Sequence, residues 1–240
     1  MRILDSHCVF GRWPQEPRDV SLEALLESLR KTGAERGVAV SLRGVFYDHD
    51  EGNAETLRAC REHPEIVPAA TILPAAYSGV EDLPARLARE GFRMVRLFPD
   101  VQNWALENVV VERILAECAG AGLPVAIPVG KRAGVASAAA RLAPAGCRVL
   151  LSDVYYPVLA ESLEALRRRE DFCLEVTRTC MPFAVELLCR DVGASRLVFG
   201  SRSPLECGRG AVEMIDEAGI SPEERAAVLG GSLSMLLGGI

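Results

Sequence analysis

No run of apolar residues in this chain approaches the ~18 residues that a membrane-spanning helix needs, so no span is expected. Met1-Arg2 is followed by only Ile3 and Leu4 before Asp5, which is too little for the apolar part of a secretory leader, and the protein is expected to be cytoplasmic. A basic excess is also lacking. The formal net charge is −6, which leaves no electrostatic footprint for nucleic acid as a partner. The eight cysteines (Cys8, Cys60, Cys118, Cys147, Cys173, Cys180, Cys189 and Cys207) contain no Cys-x-x-Cys pair. Scattered in this way, they are expected to be reduced and to serve as small buried hydrophobes rather than as a disulfide framework. A Gly-x-Gly-x-x-Gly after the first strand is missing too, which counts against a doubly wound open sheet, the runner-up fold.

What the chain does have is a rhythm. Short apolar runs at 3–11, 37–42, 66–73, 93–99, 124–129, 147–153, 172–176 and 196–201 read as buried parallel strands. Pro68 weakens the third, because proline removes a ladder donor. Helical patterns fill the intervals: 21–32 (opened by Ser21 and closed by Gly33), 53–63, 80–90, 108–121, 133–142, 159–169, 182–192 and 212–218. A last helix begins at Ser221-Pro222-Glu223-Glu224, a cap followed by proline and acids suited to the first turn. Eight strand and helix repeats in 240 residues fit one domain, 1–240, folded as a (β/α)8 barrel. In such a barrel, function sits on the loops after the strands.

Three stretches then carry a family likeness. Leu4-Asp5-Ser6-His7-Cys8-Val9-Phe10-Gly11, Arg196-Leu197-Val198-Phe199-Gly200-Ser201-Arg202-Ser203-Pro204 and Ala227-Val228-Leu229-Gly230-Gly231-Ser232-Leu233 together resemble the amidohydrolase-related TIM-barrel hydrolases over nearly the whole chain. The resemblance implies an opening D-x-H-x-H-x-G, histidines at strands five and six, and F-G-S-D-x-P at strand eight, together binding zinc or another divalent metal that activates water. Here Asp5, His7 and Gly11 match. Val9 stands for the second histidine, Pro128 for the strand-five histidine, Asp153 about where the strand-six histidine falls, and Arg202 for the last aspartate. Three histidines in the chain (His7, His49 and His63) cannot rebuild the usual ligand set, and an arginine sets a fixed positive charge where a cation would sit. No family-type metal site and no cofactor are expected.

Counting to the strand ends places Asp5, His7, Ser41, Arg43, Arg96, Asp100, Lys131, Asp153, Glu175, Arg178 and Arg202 toward the mouth. His7, Asp153 and Asp5 form the candidate catalytic set. Arg202, Arg96, Arg178, Arg43, Lys131 and Glu175 are the candidate substrate contacts, since guanidinium presents a planar fork to carboxylate or phosphate. A competing expectation is that Arg202 pairs with Asp5, Asp153 or Glu175 and fills the vacated metal cavity. His63 suits a helix C-terminus, His49 a solvated loop, and Cys8 faces away from its neighbour His7 in a strand. Trp104, Phe98, Tyr155 and Tyr156 are candidates for cavity walls. Two functions follow as expectations. The first is a small-molecule hydrolase or related lyase that takes an anionic substrate without the usual metal, as certain lactonases of the wider superfamily dispense with metal. The alternative is a non-catalytic barrel that binds an anionic metabolite or a partner protein. Related barrels are often dimers, and a homodimer is left open.

Overall fold

In a computed structural model, every residue is described except Met1, Glu16, Ser78, Gly79, Glu81 and Cys180. Eight parallel strands run in the order of the sequence: β1 (Leu4–Phe10), β2 (Arg36–Ser41), β3 (Ile66–Thr71), β4 (Met94–Arg96), β5 (Val125–Pro128), β6 (Val149–Ser152), β7 (Phe172–Glu175) and β8 (Leu197–Val198). The ring closes where Ser6 N donates to the Phe199 carbonyl at 3.0 Å and Val9 N donates to the Ser203 carbonyl at 2.9 Å. The fold is therefore the expected single-domain (β/α)8 barrel.

Helices cover the ring as the local sequence dictates. Ser21 accepts from Ala24 N and caps α1 (Leu22–Thr32), which ends at Gly33 with a left-handed φ of 77°. β2 is followed by α2 (Leu42–Phe46) and α3 (His49–Glu62), β3 by α4 (Pro74–Tyr77) and α5 (Leu83–Glu90), and β4 by α6 (Val109–Gly120). α7 (Val135–Leu142), α8 (Leu159–Arg168), α9 (Ala184–Val192) and α10 (Gly208–Asp216) follow β5 to β8. α11 (Pro222–Ala226) opens with the capping box of Ser221 and Glu224, and α12 (Ser232–Leu236) closes the chain. The expected helix over 80–90 falls partly outside the described residues. Two starts differ from expectation. α3 begins four residues early because the Asp48 side chain accepts from Glu51 N, so His49 sits in a helix rather than a loop. α10 likewise begins at Gly208. Pro68 is third of six residues in β3, and its carbonyl still accepts from Arg93 N at 2.9 Å.

The core has two layers. Val38, Val40, Val67, Ala69, Met94, Ala126, Leu150 and Val198 fill the barrel together with Leu4 and Val9, while a larger cluster packs strands against helices. Of the described cysteines, all are free: Cys8, Cys118, Cys147 and Cys189 are buried, Cys60 and Cys173 are half-buried and Cys207 is exposed. Cys180 lies outside the described residues. Among the described residues no helix is long and apolar enough to cross a membrane.

Candidate active site at the carboxyl ends of the strands

One irregularity in β1 sets the site. Leu4 and Asp5 pair with Arg36 and Gly37, but Cys8 pairs with Ala39, so Ser6 and His7 together oppose Val38 alone. This is a β-bulge, which shifts the alternation of side chains by one. Leu4 and Val9, five residues apart, therefore both point into the barrel, and Cys8 and Phe10 pack outward on Leu25 and Leu29 of α1. The bulge also lets adjacent Ser6 and His7 reach the same carboxylate. Glu175, at the end of β7 and fully buried, accepts from Ser6 Oγ at 3.3 Å. Its two oxygens lie 3.2 and 3.0 Å from His7 Nδ1.

When Glu175 is ionised it only accepts, and the contact then sets the His7 proton on Nδ1 and leaves the Nε2 lone pair to the cavity. Nε2 lies 3.9 Å from Asp153 Oδ2, too far for a direct hydrogen bond. Burial, and then the neighbouring Arg96 guanidinium, hold the imidazole well below its usual range, so it is neutral. Burial pushes the Glu175 carboxyl up, against the pull of Arg96 and Arg202.

A cavity of about 280 Å³ opens over His7. Val9, Trp13, Phe98, Val101, Pro128, Tyr155 and Leu205 form its apolar walls, and His7, Arg96, Asp100, Asp153 and Arg202 its polar ones. Arg96, from β4, is only 2% exposed. Among the described residues no carboxylate stands within ion-pairing distance of it, and its one hydrogen bond runs to the Cys8 carbonyl at 3.5 Å. Its guanidinium lies over the Phe98 ring at 5.5 Å. Arg202 Nε lies 3.4 Å and Arg178 Nε 3.9 Å from Asp153 Oδ1. Asp153 and Arg202 both hold left-handed backbones, at φ 53° and 59°, a conformation rare for such residues and concentrated at functional sites.

Several expected site residues thus converge: His7, Asp153, Glu175, Arg96, Arg178 and Arg202. Glu175 differs in role, since it holds His7 rather than the cavity space. Asp5 departs from the catalytic set. It is fully buried and does not line the cavity; its oxygens accept from His7 N and Ser201 N, both at 2.9 Å, and from Ser201 Oγ. Arg43 is 55% exposed on α2 and pairs with Glu51, because Ser41 ends β2 by capping that short helix. Lys131 also misses the cavity, lying over the Tyr155 ring at 5.0 Å. Asp100 lines the cavity and pairs with Arg132, and Arg202 pairs with Asp153 as one expectation had it. Of the expected wall aromatics, Phe98 and Tyr155 take part, whereas Trp104 donates to Gln102 and Tyr156 is exposed. Trp13, Val101 and Leu205 were not legible as walls, because they sit in loops whose path no periodicity fixes.

His7, Asp153 and Glu175 offer donor atoms within 4.8 Å of one another, which is the partial outline of a metal site. The set fits a divalent cation poorly. His7 Nδ1 and Glu175 are spent on each other, Asp153 faces two guanidiniums, Pro128 offers no ligand, and Arg96 adds a third fixed positive charge beside them.

The fold and the position of this polar centre define a (β/α)8 barrel with its site at the carboxyl ends of the strands. The chain belongs to the amidohydrolase family, whose model it matches over residues 8–232. Solved structures with the same fold include the uncharacterized TIM-barrel protein Bb4693 of Bordetella bronchiseptica, at 18% identity and a TM-score of 0.76 over 99% of this chain and 98% of that one. A Pseudomonas putida protein proposed to be a 2-pyrone-4,6-dicarboxylic acid hydrolase is similar at 23% identity, with a TM-score of 0.74 over 99% and 97%. 5-Carboxyvanillate decarboxylase LigW of Sphingomonas paucimobilis follows at 11% identity, with a TM-score of 0.78 over 98% of each chain. Among curated proteins there is no match.

Proposed function

We propose that the protein is a hydrolase of a small carboxylated molecule that works without the divalent metal of its family. The observation that carries this reading is Arg96, a buried guanidinium that lines the cavity with no ion-pair partner among the described residues, beside a neutral, carboxylate-held imidazole. A buried charge is costly unless paired, so an anion from the ligand completes it. The names of two similar barrels, a 5-carboxyvanillate decarboxylase and the proposed 2-pyrone-4,6-dicarboxylic acid hydrolase, point to carboxylated molecules as well.

In this reading Arg96 holds the substrate carboxylate, and Trp13, Phe98 and Tyr155 wall its ring or chain. His7 Nε2 takes a proton from water as the water oxygen adds to the carbonyl carbon of a lactone or amide. Arg202 donates to the oxygen that gains negative charge. The carbon–oxygen or carbon–nitrogen bond then breaks, and the proton on Nε2 passes to the leaving atom. Asp153 and Glu175 stabilise the transient imidazolium. Asp5 lies outside this chemistry.

Calorimetric titration with benzoate, together with turnover assays on carboxylated lactones and amides, tests the proposal. Arg96→Met is expected to weaken benzoate about 10- to 100-fold, the loss typical of a hydrogen-bonded charge. His7→Gln is expected to abolish turnover and keep benzoate binding. Benzoate affinity unchanged in Arg96→Met would overturn the assignment, and binding with no turnover of any such substrate would leave a non-catalytic receptor for anions.

A further inference from the structure

Beside the cavity the chain carries a second pair of guanidiniums, already supplied with acids. Glu206, four residues after Arg202, accepts with one oxygen from Arg202 Nη1 at 3.0 Å and from Arg178 Nη2. On the other side Asp153 Oδ1 lies 3.4 Å from Arg202 Nε and 3.9 Å from Arg178 Nε. Two positive and two negative groups thus form a square without net charge. Its inner half is unsatisfied: among the described residues, Asp153 Oδ1, Arg178 Nε and Arg202 Nε are buried and lack a hydrogen-bond partner. Its outer half is held by Glu206, the most exposed of the four at 36%. Arg202 lines the cavity and Glu206 does not.

We propose that Glu206 determines specificity: it supplies Arg178 and Arg202 with the carboxylate that a ligand's second anionic group would otherwise bring, and so restricts the cavity to ligands carrying one. The proposal rests on the reading that the first carboxylate binds Arg96. With Glu206 in place, a dicarboxylate meets one cation without an ion-pair partner among the described residues, Arg96, and its second charge must be desolvated without return. With the Glu206 charge removed, Arg178 and Arg202 outnumber Asp153 by one, and the second carboxylate gains a partner on the cavity wall. A guanidinium pair offers the planar donor forks that such a group requires.

The test compares benzoate, with one carboxylate, and isophthalate, with two, by calorimetric titration of the wild-type chain, Glu206→Gln and Glu206→Gln/Arg178→Met. Glutamine keeps the shape and an accepting oxygen without the charge. In Glu206→Gln, isophthalate is expected to bind about tenfold more tightly, the low end of a hydrogen bond to a charged group, while benzoate changes by less than about twofold. The double variant is expected to lose the isophthalate gain. Melting curves confirm that the variants are folded. Equal strengthening of both ligands, no change, or weakening of both would overturn the proposal, the last because Glu206 would then only position Arg202. If neither the wild-type chain nor Arg96→Met responds to benzoate, the reading at Arg96 fails by itself, and the isophthalate gain in Glu206→Gln still decides the role of Glu206.

Discussion

His7 and Asp5 are two residues apart in β1, yet their protons are governed in opposite directions. Burial and Arg96 keep His7 neutral well below 6.5, so the acid limb of kcat/KM is expected below pH 6.5, where an unperturbed imidazole would already have lost half its activity. A limb at or above 6.5 would contradict the assignment of His7 as base. Between its depressed pKa and about 6.5 the folded imidazole has shed a proton that the unfolded one keeps, so the stability His7 contributes is lost as pH falls through that window. For Asp5, burial raises the carboxyl from 3.8 to about 6 against the hydrogen bonds of Ser201 and His7. Between those values the folded chain holds a proton that the unfolded chain has released, so this group makes stability fall as pH rises from about 4 to about 6. A carbon-13 titration of the Asp5 carboxyl should show a midpoint near 6; one below 4 would refute the burial argument. At this scale the sequence was informative about identity and less so about orientation. Counting to the strand ends placed His7, Asp153, Arg96 and Arg202 at the mouth, and there they line the cavity. It misplaced Arg43 and Lys131, and it read Glu175 as a ligand contact, because the direction of a side chain at a strand end depends on turns that carry no periodic signal.

Among the elements, β1 and the segment after β8 do most of the positioning. Asp5 pins the two together through Ser201, and a line of hydroxyls continues from Ser201 Oγ to Ser203 Oγ at 2.6 Å and on to Ser28 Oγ of α1 at 2.9 Å. Ser201→Ala removes the hydroxyl donor to a buried carboxyl and is expected to destabilise the fold by about 1–3 kcal/mol in urea denaturation. A loss below about 0.5 kcal/mol would mean that the backbone N–H alone holds Asp5. Gly200 is small for a specific reason: a Cβ there would lie 2.5 Å from Glu175 Oε2 and 2.6 Å from Ser6 Oγ. Gly200→Ala should therefore dislodge Glu175 from His7, lower turnover more than ligand affinity, and move the pH limb; an unaltered limb would separate Glu175 from the titration of His7. The eight-fold alternation was legible, as were the caps at Ser21 and Ser221. The bulge at Ser6-His7 was not, since an extra residue in a strand leaves hydrophobicity nearly unchanged while turning every later side chain over. The early start of α3 was missed because its cap, Asp48, precedes a stretch with little apolar content.

For the molecule as a whole, the (β/α)8 barrel of the family is intact, and three guanidiniums, Arg96, Arg178 and Arg202, stand at the carboxyl ends of its strands beside His7 and Asp153. The inner core from Leu4 to Val198 is built of apolar side chains, so on the proposed metal-free reading thermal unfolding is expected to be insensitive to chelators. A drop in melting temperature on adding EDTA would show a structural metal. On the proposed reading this cavity takes an anion at Arg96 in place of a cation at His7, Asp153 and Glu175. The most direct measurement is elemental analysis of the purified chain after growth with zinc, iron and manganese supplied. Far less than one metal per chain is expected, unaltered by His7→Gln, whereas about one tightly held ion per chain that disappears in His7→Gln would contradict the metal-free reading.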